Sequence, residues 1–295
     1  VAGLPRAIID LEDFNESVNI MIYGNSGVGK TVLAGTTPNA LIIAAERGTI
    51  SAKRVAQSGA KVWPCPNWAE FEAAYDWVEQ NPGVFDWVWI DSATKIQSHC
   101  IRHILDEAVA NNSSRDVDIP AIQDHYKWQL MMKRFVVMWN DLPVNVGWTA
   151  QAMHKSDEEG DDIVLPLILG KDYDISATIC GEMDVLGYLS VDKVKRRVNG
   201  EVKTSDVRRL LVHSRAPYFA KDRYHAIADP KGNGYMVDPT MPKIIERIGA
   251  PAPRSGVGSS PRRSTGTAAK SPAKASATAR KASTTRRAPA RRPSK

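Results

Sequence analysis

One stretch near the start of the chain has the residue types and spacing to wrap a phosphate group. Gly24, Asn25, Ser26, Gly27, Val28, Gly29, Lys30 and Thr31 fit the pattern G-x-x-x-x-G-K-[ST]. Glycines at 24, 27 and 29 let backbone N–H groups turn inward around an anion, and a helix starting at the loop's end adds the positive end of its dipole. Lys30 would reach the β- and γ-phosphates of a nucleoside triphosphate such as ATP, and the Thr31 hydroxyl would ligate Mg2+. The flanks agree with this chemistry. Residues 18–23 read as a short buried strand, and residues 31–37 read as a helix that Pro38 stops. A glycine-rich turn that binds nothing would not require strand, loop and helix in that order.

Further groups stand where such a site would need them. Residues 85–90 form an apolar strand ending in Asp91, where a carboxylate can hold the Mg2+ water shell opposite Thr31. The next residue is Ser92 rather than Glu, so a catalytic base must come from elsewhere. The apolar run 40–45 reads as a second strand with Glu46 at its carboxyl end, the edge where α/β sheets bind ligands. Glu46 could polarise an attacking water there; an ordinary solvated loop glutamate is the plain alternative. Gln151 follows the strand 144–150, where it could sense a γ-phosphate and signal to the loop 152–162, acidic beyond Lys155. Lys221 and Arg223 sit two positions apart after the last strand. On an extended segment they point the same way, as reaching one phosphate across a subunit boundary would require. A solvated basic turn would look the same.

The elements that must position these residues alternate between strand and helix, as in an α/β sheet. Residues 61–63 suit a short strand. Asn67, with Glu70 three residues on, has the spacing of a helix start, and the helix runs to about Gln80 before Pro82-Gly83. Trp68, Phe71, Tyr75 and Trp77 follow one side of that helix, a spacing that favours core packing over nucleic-acid stacking. Helices over 95–110 and 122–139 flank a polar loop, 111–120. From Ile163 the character turns to strand, with 183–191 and 206–213 joined through an Asn199-Gly200 turn. Residues 242–248 close with a short helix. The expected fold is α/β, a P-loop NTPase core with a mostly parallel central sheet flanked by helices and an antiparallel β-meander extension. Residues 1–16 are a lead-in, 17–249 the folded domain, and 250–295 a disordered basic tail.

Net charge over the 295 residues is +6, unevenly spread. Residues 250–295 hold 12 Lys/Arg and no acid, whereas residues 1–249 hold 27 basic against 33 acidic residues. The tail, with no aromatic residue, cannot bury a core. It would attract phosphates without sequence preference, which points to nucleic acid as partner. Cys65, Cys100 and Cys180 are odd in number and widely spaced, which suits neither a disulfide framework nor a zinc site. Buried thiols in a reducing cytoplasm are expected instead. No run approaches the roughly 20 apolar residues of a membrane span, and no signal-peptide pattern stands at the start. Val1, read as a literal GTG start, hints at a bacterial or phage gene.

With residues 24–31, Ala45-Glu46-Arg47, Trp89-Ile90-Asp91, Gln151 and Lys221-Asp222-Arg223 in this order, the chain resembles a RecA-type ATPase over residues 15–248. It is most similar to the short phage proteins labelled AAA-family ATPases, a group that includes single-strand-annealing recombinases built from the RecA core alone. The resemblance implies Glu46 as catalytic base, Gln151 as sensor, and Lys221 and Arg223 as a pair reaching the neighbouring subunit's nucleotide. It also implies ATP and Mg2+ as ligands, a homo-oligomer with ATP at subunit boundaries, and single-stranded DNA as partner. A single-strand-binding protein could share the DNA. Two other readings stay open: a P-loop kinase of a nucleotide or small metabolite, and a non-catalytic DNA-coating protein whose nucleotide sets its shape.

Overall fold

Short apolar runs at Asn19–Gly24, Ala40–Ala44 and Trp87–Asp91 become central strands of one large sheet. The computed structural model describes residues 17–156, 159–170, 174–198 and 201–249. The lead-in and the basic tail lie outside the described residues, as does the Asn199-Gly200 turn. Ten strands order as β10-β8-β7-β1-β5-β4-β2-β3, with β6 (Asp162–Pro166) paired to β5 (Asn145–Ser156) and β9 (Lys221–Asp222) to β7 (Val185–Val198). The parallel part comprises β1 (Asn19–Gly24), β2 (Ala40–Ala44), β3 (Lys61–Pro64), β4 (Trp87–Asp91), β5 and the start of β7. The antiparallel extension is β7, β8 (Glu201–Leu211) and β10 (Tyr235–Val237).

Helices cover both faces, as a parallel sheet buried on two sides requires. On one face lie α3 (Trp68–Gln80), α4 (Ala93–Asn111), α5 (Ile122–Asn140) and α6 (Asp174–Gly181), packed on Met21, Ile43, Ile90 and Trp148. Trp68, Phe71 and Tyr75 are buried in that core, while Trp77 is half-buried beside Trp63 and Phe85. On the other face α1 (Lys30–Gly35) and α7 (Met241–Ile248) pack on Ile22, Ile42, Trp87 and Trp89. α2 (Thr49–Val55) lies against α1, where Ala52 meets Gly35. Asn67 caps α3 by accepting from Glu70 N at 2.9 Å, and Ser92 caps α4 by accepting from Lys95 N.

The structure departs from the sequence reading in four places. β5 does not end near Gln151; it continues to Ser156, because antiparallel pairing with β6 from Ala152↔Pro166 to Ser156↔Asp162 keeps it extended. Most of the expected acidic loop is therefore strand. β7 and β8 are longer than 183–191 and 206–213, pairing out to Val198↔Glu201. α6 lies in a stretch read as β, held by Ile175 and Ile179, a buried pair at helical spacing. α2 forms in a stretch for which the sequence pattern predicts no element. All three cysteines are free and buried, and burial pushes each thiol up to about 12.

Candidate nucleotide site

β1 delivers the glycine loop to the carboxyl edge of the sheet, with Gly24 level with Gln151 on β5. Gly27 and Gly29 take φ of 82° and 102°, a region that a Cβ resists. Gly29 is also the N-cap of α1, and no side chain caps that helix, so its first-turn N–H groups have no side-chain cap. Lys30 Nζ donates to Gly24 O and Asn25 O, both at 2.9 Å, which holds the ammonium at the loop's mouth. Burial holds this lysine below its ordinary range, while the nearby Asp91 and Glu46 carboxylates pull it back up.

Three hydroxyls organise two carboxylates beside the loop. Thr31 Oγ1 donates to Asp91 Oδ2 at 2.9 Å, and Thr149 Oγ1 donates to Asp91 Oδ1 at 2.5 Å. Asp91 is only 4% exposed. Burial lifts its carboxyl above the usual carboxylate range, the two threonine hydrogen bonds oppose that rise, and Glu46 adds to it. Ser92 Oγ, directly after Asp91, donates to Glu46 Oε1 at 2.5 Å. The residue that stands where a glutamate was missed thus holds the glutamate arriving from β2. Gly48 closes the same corner: a Cβ there would lie 3.4 Å from Thr31 Oγ1.

Gln151 shares a strand face with Thr149 by alternation. Its backbone N donates to Thr94 Oγ1 at 3.1 Å and its carbonyl accepts from Leu167 N, so the main chain here is fixed between α4 and the segment after β6. The overshooting end of β5 places His154 Nε2 3.3 Å from Asn25 Oδ1 in the loop.

Lys221 and Arg223 are not brought to this site. β9 pairs with the start of β7 at Leu186↔Lys221, whereas Gly24 lies level with Leu189, so roughly 10 Å of strand separates them. The two side chains do point the same way, since both donate to Gly181 O at the end of α6. Lys221 also donates to Cys180 O, and Arg223 pairs with Asp184 at 2.8 Å. Burial, then Arg223, lowers the Lys221 ammonium.

Three contributors hold roles at the site that the sequence reading does not give them. Ser92 and Thr149 look like ordinary small strand-end residues; their signal was position, one residue after Asp91 and two before Gln151. Arg208 on β8 is the third. Its Nε donates to Val28 O at 3.2 Å, and a Cβ on Gly29 would sit 2.8 Å from that same nitrogen. No local pattern links residues so far apart in the chain.

A phosphate-wrapping loop between the first strand and its helix, with a buried carboxylate two strands away facing the helix's threonine, places the domain among the P-loop nucleoside triphosphatases. Residues 16–224 match the AAA_24 family, an AAA domain, and the chain belongs to that family. It therefore carries an AAA-type P-loop ATPase domain, to which nucleotide binding belongs. A comparison with curated proteins yields no match. Among the described residues no helix is long and apolar enough to cross a membrane.

Proposed function

We propose that the protein is a RecA-like ATPase that hydrolyses ATP at subunit boundaries of a homo-oligomer and acts on single-stranded DNA in phage-type recombination or replication. The observation that carries the hydrolytic part is the Ser92–Glu46 hydrogen bond, which sets a carboxylate from the end of β2 beside Asp91 and the phosphate loop. Lys30 and the loop N–H groups bind the triphosphate. Glu46 orients a water and takes its proton as the water attacks the γ-phosphate. Thr31 and Asp91 offer a hydroxyl and a carboxylate, hard oxygen donors that suit Mg2+. A cation beside the buried Asp91 carboxyl would offset the burial that lifts it. When bound, Mg2+ would neutralise charge on the phosphate oxygens.

Gln151 is proposed to report the γ-phosphate along β5. Lys221 and Arg223 would serve a neighbouring copy by exchanging the α6 carbonyls for a phosphate. The DNA part is supported by the resemblance to single-strand-annealing recombinases and by the basic tail on an acidic body. A single-strand-binding protein would fit beside it as partner.

ATP binding and phosphate release, measured with and without single-stranded DNA, test the reading. Lys30→Ala should abolish turnover. Glu46→Gln should bind ATP while losing turnover by about 10²- to 10⁴-fold. Normal hydrolysis by Glu46→Gln refutes the base assignment. A phosphorylated acceptor in place of free phosphate would reassign the protein as a kinase, and turnover indifferent to DNA would remove the DNA part.

A further inference from the structure

β7 runs beside β1 only through Tyr188 and then continues to Val198. β8 accompanies it from Glu201 to Leu211, while β10 covers β8 only at 209–211. Among the described residues, then, a two-stranded ribbon with no further strand on either side projects past the carboxyl edge of the sheet. Residues 189–198 carry it roughly 30 Å beyond the level of Gly24.

The ribbon is a basic island. Residues 189–209 hold seven Lys/Arg and three Asp/Glu, whereas the rest of residues 1–249 hold twenty and thirty. Strand alternation puts Val191, Lys193 and Lys195 on one face, with Arg208 across from Val191 and one acid, Asp206, across from Lys193. Leu189 and Leu210 mark this as the α1 face, since both pack in the core that contains Leu33 and Ala34. It is also the face on which Arg208 touches Val28 of the phosphate loop. Lys193 and Lys195 are exposed and have no ion-pair partner among the described residues. On the opposite face Arg209 is taken up by Asp192 at 3.2 Å. Lysines on a bare ribbon also discourage strand-to-strand aggregation, but either sign of charge would do that. It does not account for one cationic row on an acidic body.

We infer that the face of the β7–β8 ribbon bearing Lys193, Lys195 and Arg208 binds the sugar-phosphate backbone of single-stranded DNA and leads the strand to the rim of the nucleotide site. This rests on the proposal that the protein acts on single-stranded DNA, and names where it does so. Alternate residues recur about every 6.6 Å along a strand, so one flexible polynucleotide can set successive phosphates against the row. Such contacts are electrostatic and indifferent to base sequence. Arg208 stands at the ribbon's root and touches Val28 of the phosphate loop, so a strand on this face would bear on a side chain that also touches the loop.

The test uses the full-length chain and a fluorescent oligo-dT, with affinity measured across a salt series. The Lys193→Gln/Lys195→Gln double variant should bind more weakly, with the slope of log K against log salt shallower by about 1.4. Asp206→Lys, which adds a cation across from Lys193, should bind more tightly and steepen the slope by about 0.7. The basic tail contributes equally to all three proteins, so the differences isolate the ribbon. ATP turnover without DNA should match the unaltered chain in both variants, which reports an intact fold. Identical affinities and slopes in all three proteins overturn the inference and leave the single-strand reading standing. Failure of the unaltered chain to bind oligo-dT overturns both. Tighter binding of a blunt duplex of equal length overturns the assignment to a single strand.

Discussion

Replacing Thr149 by Val probes the site at the point where burial and charge compete most directly. Thr149 is fully buried, and its hydroxyl gives Asp91 one of its two side-chain hydrogen bonds, at 2.5 Å. Valine keeps the shape and puts a methyl group where the hydroxyl was. A hydrogen bond to a charged group is worth about 1.5–3 kcal/mol. Burial already pushes Asp91 upward and the Thr149 bond works against that push, so its loss raises the carboxyl further. The ionised form is then lost at a higher pH on the way down, and the acid limb of Mg2+-dependent ATP binding should move upward in pH. At neutral pH the gain in ATP affinity on adding Mg2+ should shrink roughly ten- to hundredfold. Affinity in EDTA should hold, because Lys30 and the loop amides are untouched. Titration of a fluorescent ATP analogue with Mg2+ and with EDTA measures both numbers, and Thr149→Ser should restore the gain. A valine variant that melts normally and keeps the full Mg2+-dependent gain would refute the role proposed for Asp91.

Other perturbations follow from the same packing. Ser92→Ala removes the donor to Glu46 and should lower kcat by about tenfold with KM little changed, with rescue by Ser92→Thr; steady-state kinetics show whether KM moves instead. Part of any lost stability there would come from the α4 cap that Ser92 also supplies, typically about 1 kcal/mol. In Gly147→Ala the new Cβ would fall 2.4 Å from the Trp89 ring, which is fully buried and tied by its Nε1 to Thr37 Oγ1 at 2.9 Å. Overpacking of this kind costs about 1–3 kcal/mol, so Tm should drop by roughly 3–10 °C in a thermal melt. Cys65, Cys100 and Cys180, each pushed up to about 12, should resist a thiol reagent at pH 8 in the folded chain and react at once in denaturant. Unfolded thiols ionise near 8.5 and folded ones near 12, so the unfolded state holds fewer protons between these values. Stability should therefore fall as pH climbs through that window, and chemical denaturation at pH 8 and 10 checks it.

The β1–loop–α1 unit was legible in the sequence because its signals are local: an apolar run, glycines at fixed offsets and a proline stop all lie within about twenty positions. The same holds for α3, whose Asn67 cap and buried Trp68, Phe71 and Tyr75 are set by spacing along one helix. Local chemistry also placed Asp91 and Glu46 at strand ends, where a parallel sheet gathers its functional groups. What the residues could not show by themselves was pairing. The extension of β5 to Ser156 exists because β6 lies beside it, and the reach of β7 and β8 exists because each is the other's partner. An isolated strand has no stability from which its length could be read.

The contacts that finish the site have the same origin. Asp91 meets Thr149, Glu46 meets Ser92, and Arg208 meets Val28 across separations in the chain that no periodicity spans. Alternation determined that Lys221 and Arg223 share a side, but the end of α6, a helix within the stretch read as β in character, decided what they touch. The chain's own order of residues settles which chemistry is carried to the sheet's edge. The closing of the sheet settles which of those groups share a hydrogen bond, because burial makes each polar atom take the partner the fold brings near.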